Sequence, residues 1–157
     1  MTLKVPLWQQ TKPHTCLPAY VRMVLAFHGL EQTEEELAQT FKTIPFLGTQ
    51  PDNVVSGLER MGYHALWFEN GTIERLLELL GANWPVIVFL RAQDLPYGRT
   101  GLHAVVIVGI ENNQVLANDP SQPEPISLEL RIFAKMRSNL GHQGWLFGNK
   151  YNPTQLA

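Results

Sequence analysis

Residues 85–110 read PVIVFLRAQDLPYGRTGLHAVVIVGI: two apolar, largely β-branched runs, Pro85 to Leu90 and His103 to Ile110, on either side of a polar loop, Arg91 to Leu102. Both runs have the length of strands. Because they do not alternate with polar residues, they read as central strands covered on both faces. Toward the C-terminus, Asn112-Asn113 turns the second run back into Gln114 to Ala117, a hairpin candidate. Ile126 to Leu130 reads either as a further strand or as the start of a short helix, and Trp145 to Phe147 as a returning strand before a loose tail.

Toward the N-terminus the period changes. From Pro18 to His28 the apolar residues Tyr20, Val21, Val24, Leu25 and Phe27 recur at helical spacing, Pro18 suits the first turn, and Gly29 supplies the stop. Thr33 with Glu36 is a capping-box pattern opening a second helix that reaches about Phe41. Pro51 to Met61, with Val54, Val55, Leu58 and Met61 on one side and Gly62 closing it, reads as a third. Tyr63 to Phe68 has the aromatic content of a short strand; Asn70-Gly71 turns, and Thr72 caps a helix carrying Ile73, Leu76, Leu77 and Leu80, stopped by Gly81. Helices first and an antiparallel sheet afterwards argue for an α+β fold rather than alternating βαβ units. At 157 residues the expectation is one domain, 1–157.

Composition narrows the functional classes. The apolar fraction is 45% and the charged fraction 17%, ordinary for a globular protein. The formal charge is −2 with basic residues scattered, so no stripe for a nucleic-acid backbone is expected, and the local bias from Arg131 to Arg137 reads as the solvated face of a short helix. One cysteine, Cys16, excludes an intrachain disulfide and a Cys-rich zinc site, which fits a reducing compartment. The N-terminus lacks the apolar stretch of a signal peptide and the longest apolar runs are too short to cross a bilayer. The expectation is a cytoplasmic protein with no membrane insertion and no cofactor.

Cys16 falls at or just before a helix N-terminus, where a thiolate is favoured; taken alone, such a cysteine is more often a small buried hydrophobe. Gln10, six residues upstream, can join the Cys16 amide as an oxyanion donor, with Gln9 as the alternative assignment. His103 begins a core strand next to Gly101 and the Gly98-Arg-Thr stretch, read as flexible and leaving room for substrate access; His14, His28, His64 and His142 compete with it. Asp119 follows sixteen residues on, at the end of the hairpin partner, where antiparallel pairing brings it near His103. It fits a residue that fixes the imidazole tautomer, although an Asp-Pro that merely ends a strand is the simpler reading of it in isolation. Together the four supply an oxyanion donor, a nucleophile, a base and an orienter, a more specific constellation than any member.

On the opening VPLWQQ, the Gln10–Cys16 spacing, Cys16-Leu-Pro-Ala19, the segment GLHAVVIVGI and Asn118-Asp119-Pro120, nearly the whole chain resembles the C39-like peptidases of the papain-like superfamily. That family includes leader-processing domains of bacteriocin exporters and free-standing relatives. The resemblance implies a helical part bearing the nucleophile packed on an antiparallel sheet bearing the histidine and aspartate. It implies Gln10 in the oxyanion hole, Cys16 as nucleophile, His103 as general base and acid, Asp119 as third member, and a peptide or protein substrate cut through a thioester at a peptide or isopeptide bond. The family commonly has Asp-Cys-Gly around the nucleophile, whereas this chain has Thr15-Cys16-Leu17. Leu17 implies a narrowed cleft, an altered substrate preference or a module that binds without cutting. An acyltransferase or amidase would use the same triad. Trp8, Trp67, Trp84 and Trp145 could line a peptide groove, but core packing is the simpler expectation for most of them.

Overall fold

The computed structural model describes residues 2–69, 71–97, 102–138 and 143–149. Asn70 of the expected turn, Gly98 to Gly101 beside His103, His142 and the tail from 150 lie outside the described residues.

Helix α1 (Cys16–Phe27) begins on the cysteine itself, ahead of Pro18, and buries Ala19, Tyr20, Val21, Met23, Val24 and Leu25. Pro18 is accommodated because first-turn amides need no intrahelical acceptor. The helix ends where Gly29 takes φ 92° just past the cap. In α2 (Glu34–Thr40) the Thr33 hydroxyl accepts from the Glu36 amide at 3.1 Å, the capping contact that the sequence predicts. Helix α3 (Pro51–Arg60) lies close against the end of α2: a Cβ at Gly57 would stand 2.6 Å from Phe41 Cδ1, a contact only glycine avoids. Strand β1 (Tyr63–Phe68) leads to α4 (Ile73–Gly81), capped by Thr72 on the Arg75 amide. Gly81 does not stop this helix as the sequence suggests. It is the last helical residue, and Asn83, at φ 67°, supplies the left-handed turn, a conformation asparagine tolerates.

The central runs become β2 (Val86–Arg91) and β3 (Leu102–Glu111), paired antiparallel with Val88 opposite Val105. Asn112 and Asn113, at φ 51° and 62°, form the two-residue turn into β4 (Gln114–Asn118), the conformation that matches strand twist. Ile126 to Leu130 resolves as both of its alternatives in succession: β5 (Ile126–Glu129), then α5 (Leu130–Ser138). With β6 (Gly144–Asn149), the described strands form one antiparallel sheet in the order β1-β6-β2-β3-β4-β5. Val105, Val106 and Ile107 are fully buried in succession, so both faces of β3 are covered; α1, α4 and α5 pack on the β2–β3 pair.

One expectation about side chains needs correction. Arg131 and Lys135 face solvent, but Arg137 is fully buried and donates to the Gly71 carbonyl at 3.0 Å, so the basic run is not one solvated face. Burial lowers the Arg137 pKa to about 10. Trp84 and Trp145 are core residues and Trp8 is half-buried under the Arg22 guanidinium, whereas Trp67 is exposed, stacked on Phe89 and Trp145 with ring centroids 5.7 and 5.6 Å apart. An exposed edge strand carries Trp67, which periodicity alone could not say.

At the C-terminal end of α1, His28 is wedged against Phe27, Trp84 and Phe147. Burial lowers its pKa, partly offset by a hydrogen bond to the Phe147 backbone. The unfolded chain therefore takes up this proton first as pH falls below about 6.5. The contribution of His28 to stability is present above that pH and lost below it. We expect the thermal midpoint to fall between pH 7 and 5, and the fall to be shallower in His28→Gln; equal slopes would exclude this histidine as the cause.

Candidate active site

The N-terminal segment brings the site together. A register shift in the β3–β4 pairing between Ile107 and Gly109 accompanies an added contact, in which the Leu3 amide donates to the Val108 carbonyl at 2.8 Å. The chain then runs past the end of β4, where Asn118 Nδ2 donates to the Val5 carbonyl at 3.0 Å and the Gln10 amide to the Pro120 carbonyl at 2.8 Å. Gln10 is thereby fixed one residue from Asp119.

His103 and Asp119 meet directly. Ile107 pairs with Ala117 and Val106 with Asn118, so the register continues to Asp119 opposite Val105, and His103, two residues further along β3 on the same face, lies diagonally from Asp119. His103 Nε2 lies 2.6 Å from Asp119 Oδ2, with the imidazole 8% exposed and the carboxylate fully buried. The same Oδ2 accepts from the Tyr97 hydroxyl, while Oδ1 accepts from the Ser121 amide at 2.9 Å and the Ser121 hydroxyl at 2.8 Å. Burial pushes the Asp119 pKa up, but the hydrogen bonds from His103, Tyr97 and Ser121 and the charge of His103 outweigh it and hold the carboxyl below its ordinary range. Asp119 thus stays an anion, an acceptor for the imidazole N–H.

Cys16 stands at the first position of α1, at the positive end of the helix dipole. One turn further, Tyr20 packs edge-on against the His103 ring at 6.3 Å between centroids, so the face of α1 that carries Cys16 is turned to the start of β3. Gln10 is held next to Asp119 by the bond of its backbone amide to the Pro120 carbonyl. Its side-chain Nε2 donates to the Lys12 carbonyl at 2.9 Å and reaches the Pro13 carbonyl at 3.5 Å, and its Oε1 is buried with no hydrogen-bond partner among the described residues. Gln9, the alternative, is exposed. Of the competing histidines, His28 sits in the aromatic wedge and His64 pairs on the surface with Glu59 at 2.7 Å.

Leu17 is turned into a small apolar pocket of about 80 Å³ that it lines with Pro51, Val54 and Val55 of α3 and Trp67, Phe89 and Trp145 of the sheet. The residue after the cysteine therefore forms a pocket wall. Sequence reading missed Tyr97 and Ser121. The Ser121 contact had a local signal, since an aspartate accepting from the amide two residues on is an Asx-turn; Tyr97 lies in a loop and had none. Among the described residues no three His, Cys, Asp or Glu side chains are grouped to hold a metal ion, and no helix is long and apolar enough to cross a membrane.

A family model described as the Peptidase_C39 like family matches residues 2–141. No curated protein matches the sequence significantly. Among solved structures, a Bacillus anthracis protein assigned to the C39-like peptidases is similar with a TM-score of 0.75 at 18% identity, over 93% of this chain and 95% of that one. The peptidase domain of Streptococcus ComA, a bifunctional ABC transporter of a quorum-sensing pathway, gives 0.70 at 20% identity over 91% and 97%. A double-glycine-motif protease from an AMS/PCAT transporter, in complex with the leader peptide, gives 0.71 at 19% identity over 94% of each chain.

Proposed function

This chain belongs to the Peptidase_C39 like family, and from that premise we propose that it is a cysteine hydrolase acting on a peptide or isopeptide bond, with Cys16, His103 and Asp119 as its triad and Gln10 in its oxyanion hole. The observation that carries the reading is the His103 Nε2–Asp119 Oδ2 contact of 2.6 Å at the foot of a helix that begins on the sole cysteine. With Nε2 committed to Asp119, Nδ1 is the nitrogen that takes the thiol proton.

In this mechanism the Cys16 thiolate attacks the carbonyl carbon, and the resulting oxyanion is met by the Cys16 amide at the start of α1 and by Gln10 Nε2. The imidazolium gives its proton to the leaving amine as the C–N bond breaks, leaving a thioester. Water, deprotonated by His103, then attacks the thioester; the carboxylic acid leaves and Cys16 is regenerated. Asp119 holds the ring tautomer and stabilises the cation formed twice per turnover. The leader-peptide complex of the structural neighbour supports a peptide substrate for this chain, and the pocket beside Leu17 supports one that places an apolar side chain next to the scissile bond.

The orientation of the Gln10 amide toward its own loop favours a second reading, a peptide-binding module that does not cut. The deciding measurement is the pH dependence of iodoacetamide labelling, read by intact mass, because the sole cysteine makes the adduct unambiguous. We expect fast labelling well below the ~8.5 pKa of a free thiol, slowed at that pH in His103→Ala. Slow labelling, or labelling indifferent to His103, would favour the module. Product analysis with an amine acceptor then separates hydrolysis from acyl transfer.

A further inference from the structure

Glu34 is the first residue of α2, and unlike the exposed Glu35 and Glu36 beside it, it is buried, 6% exposed. The helix does not need it as a cap, because Thr33 already provides that contact. Its carboxylate instead reaches the loop between Gln10 and Cys16. The Thr11 amide donates to its two oxygens at 3.0 and 3.2 Å, the Thr11 hydroxyl at 3.0 Å, and the Thr15 hydroxyl is bonded to it as well. A buried carboxylate is expensive unless donors compensate it, and here the donors come from both ends of this one loop.

From this arrangement we infer that Glu34 is a positioning residue of the oxyanion hole, resting on the catalytic reading above. The same Thr15 oxygen accepts from the Lys12 amide at 3.3 Å and the Thr15 amide donates to the Lys12 carbonyl at 3.3 Å, so the clamp fixes the turn whose Lys12 and Pro13 carbonyls hold Gln10 Nε2. Glu34 therefore sets the direction of the Gln10 amide and the lead-in to the Cys16 amide without touching substrate. Loosening the loop degrades the two donors that meet an oxyanion. The thiolate–imidazole pair, which is held by α1 and β3, is left in place.

Two reagents for Cys16 separate these functions without knowledge of the substrate. Acylation by p-nitrophenyl acetate builds a tetrahedral oxyanion; alkylation by iodoacetamide, a displacement at carbon, builds none. In Glu34→Ala we expect acylation slowed about tenfold or more and alkylation within about twofold of wild type. Glu34→Gln, which keeps one acceptor oxygen, should recover part of the acylation rate. Glu34→Ala added to Gln10→Ala should cost little further, because both act through the same donor. Equal loss of both rates, unchanged acylation, or full additivity with Gln10→Ala would overturn the inference. If Glu34→Ala does not fold, Thr11→Val removes one bond to the carboxylate at an exposed position; it should slow acylation alone, and an unchanged rate overturns the inference. A wild-type protein that is neither acylated nor labelled rapidly at low pH overturns the catalytic reading and this one with it, whereas an acylated wild type with an indifferent Glu34→Ala overturns this one alone.

Discussion

Asp119→Asn should slow acylation of Cys16 by about 10⁴-fold while leaving the protein folded. The carboxylate accepts from four donors, and its Oδ2 faces His103 Nε2 at 2.6 Å. An amide at this site presents an NH₂ to one side. If its oxygen remains toward Ser121, its NH₂ meets His103 Nε2, which must then accept, and the ring proton is driven to Nδ1, the nitrogen that receives the thiol proton in the proposed mechanism. If it turns the other way, the two Ser121 donors face an NH₂. In either orientation the imidazolium formed in the reaction loses its buried counter-charge. A loss of 10⁴ corresponds to about 5 kcal/mol of transition-state stabilisation, more than a surface ion pair supplies and consistent with a fully buried contact. The check is the rate of nitrophenolate release from p-nitrophenyl acetate, with circular dichroism to confirm folding; a loss under about tenfold would remove Asp119 from the triad. Acid has a related effect. Because the folded-state pKa is lowered, the stability that Asp119 contributes is fully present above the unfolded value near 3.9 and is lost as pH falls from there through the folded value.

The largest expected effect on stability is at Leu25. This side chain is fully buried near the C-terminal end of α1, more than two turns from Cys16, within the core that joins the helical part to the sheet. Leu25→Ala removes buried methyl groups and leaves a cavity that a close-packed interior fills poorly, costing about 2–5 kcal/mol. The midpoint of urea unfolding should fall accordingly with an unchanged slope. Iodoacetamide labelling of the folded protein should keep its wild-type rate, because the N-terminal end of α1 is held independently of Leu25, by Tyr20 on His103. A midpoint shift of less than about 1 kcal/mol equivalent would mean that the core relaxes around the cavity; a slowed reaction would mean that the distant end of α1 sets the site.

The α+β order could be read from the chain because its signals are local: helical spacing up to Gly81, then uninterrupted β-branched runs whose length and turn residues leave few alternatives. Thr33 and Thr72 as caps, Asn112-Asn113 as a hairpin turn and Tyr63–Phe68 as a strand depend on neighbours within a few residues, and the structure has all of them. The approach of Asp119 to His103 was also accessible, since a hairpin converts sequence separation into cross-strand distance with a period of two. What only the tertiary structure decided involves partners that no local rule connects. The burial of Arg137 against the Gly71 carbonyl joins positions 66 residues apart, and the Tyr97 hydroxyl on Asp119 comes from a loop. The clamp of Glu34 on Thr11 and Thr15 joins two helix starts. Leu17 reads from the sequence as narrowing the cleft, altering substrate preference or marking a module that does not cut; that it lines an apolar pocket with α3 and the sheet is decided by packing. Sequence determined which segments could bury a face and how each would start and stop, because propensity, capping and turn chemistry act over a few residues. The fold decided where the polar side chains found their partners, because a buried hydrogen bond is satisfied by whatever group the packing brings within 3 Å, at any distance along the chain.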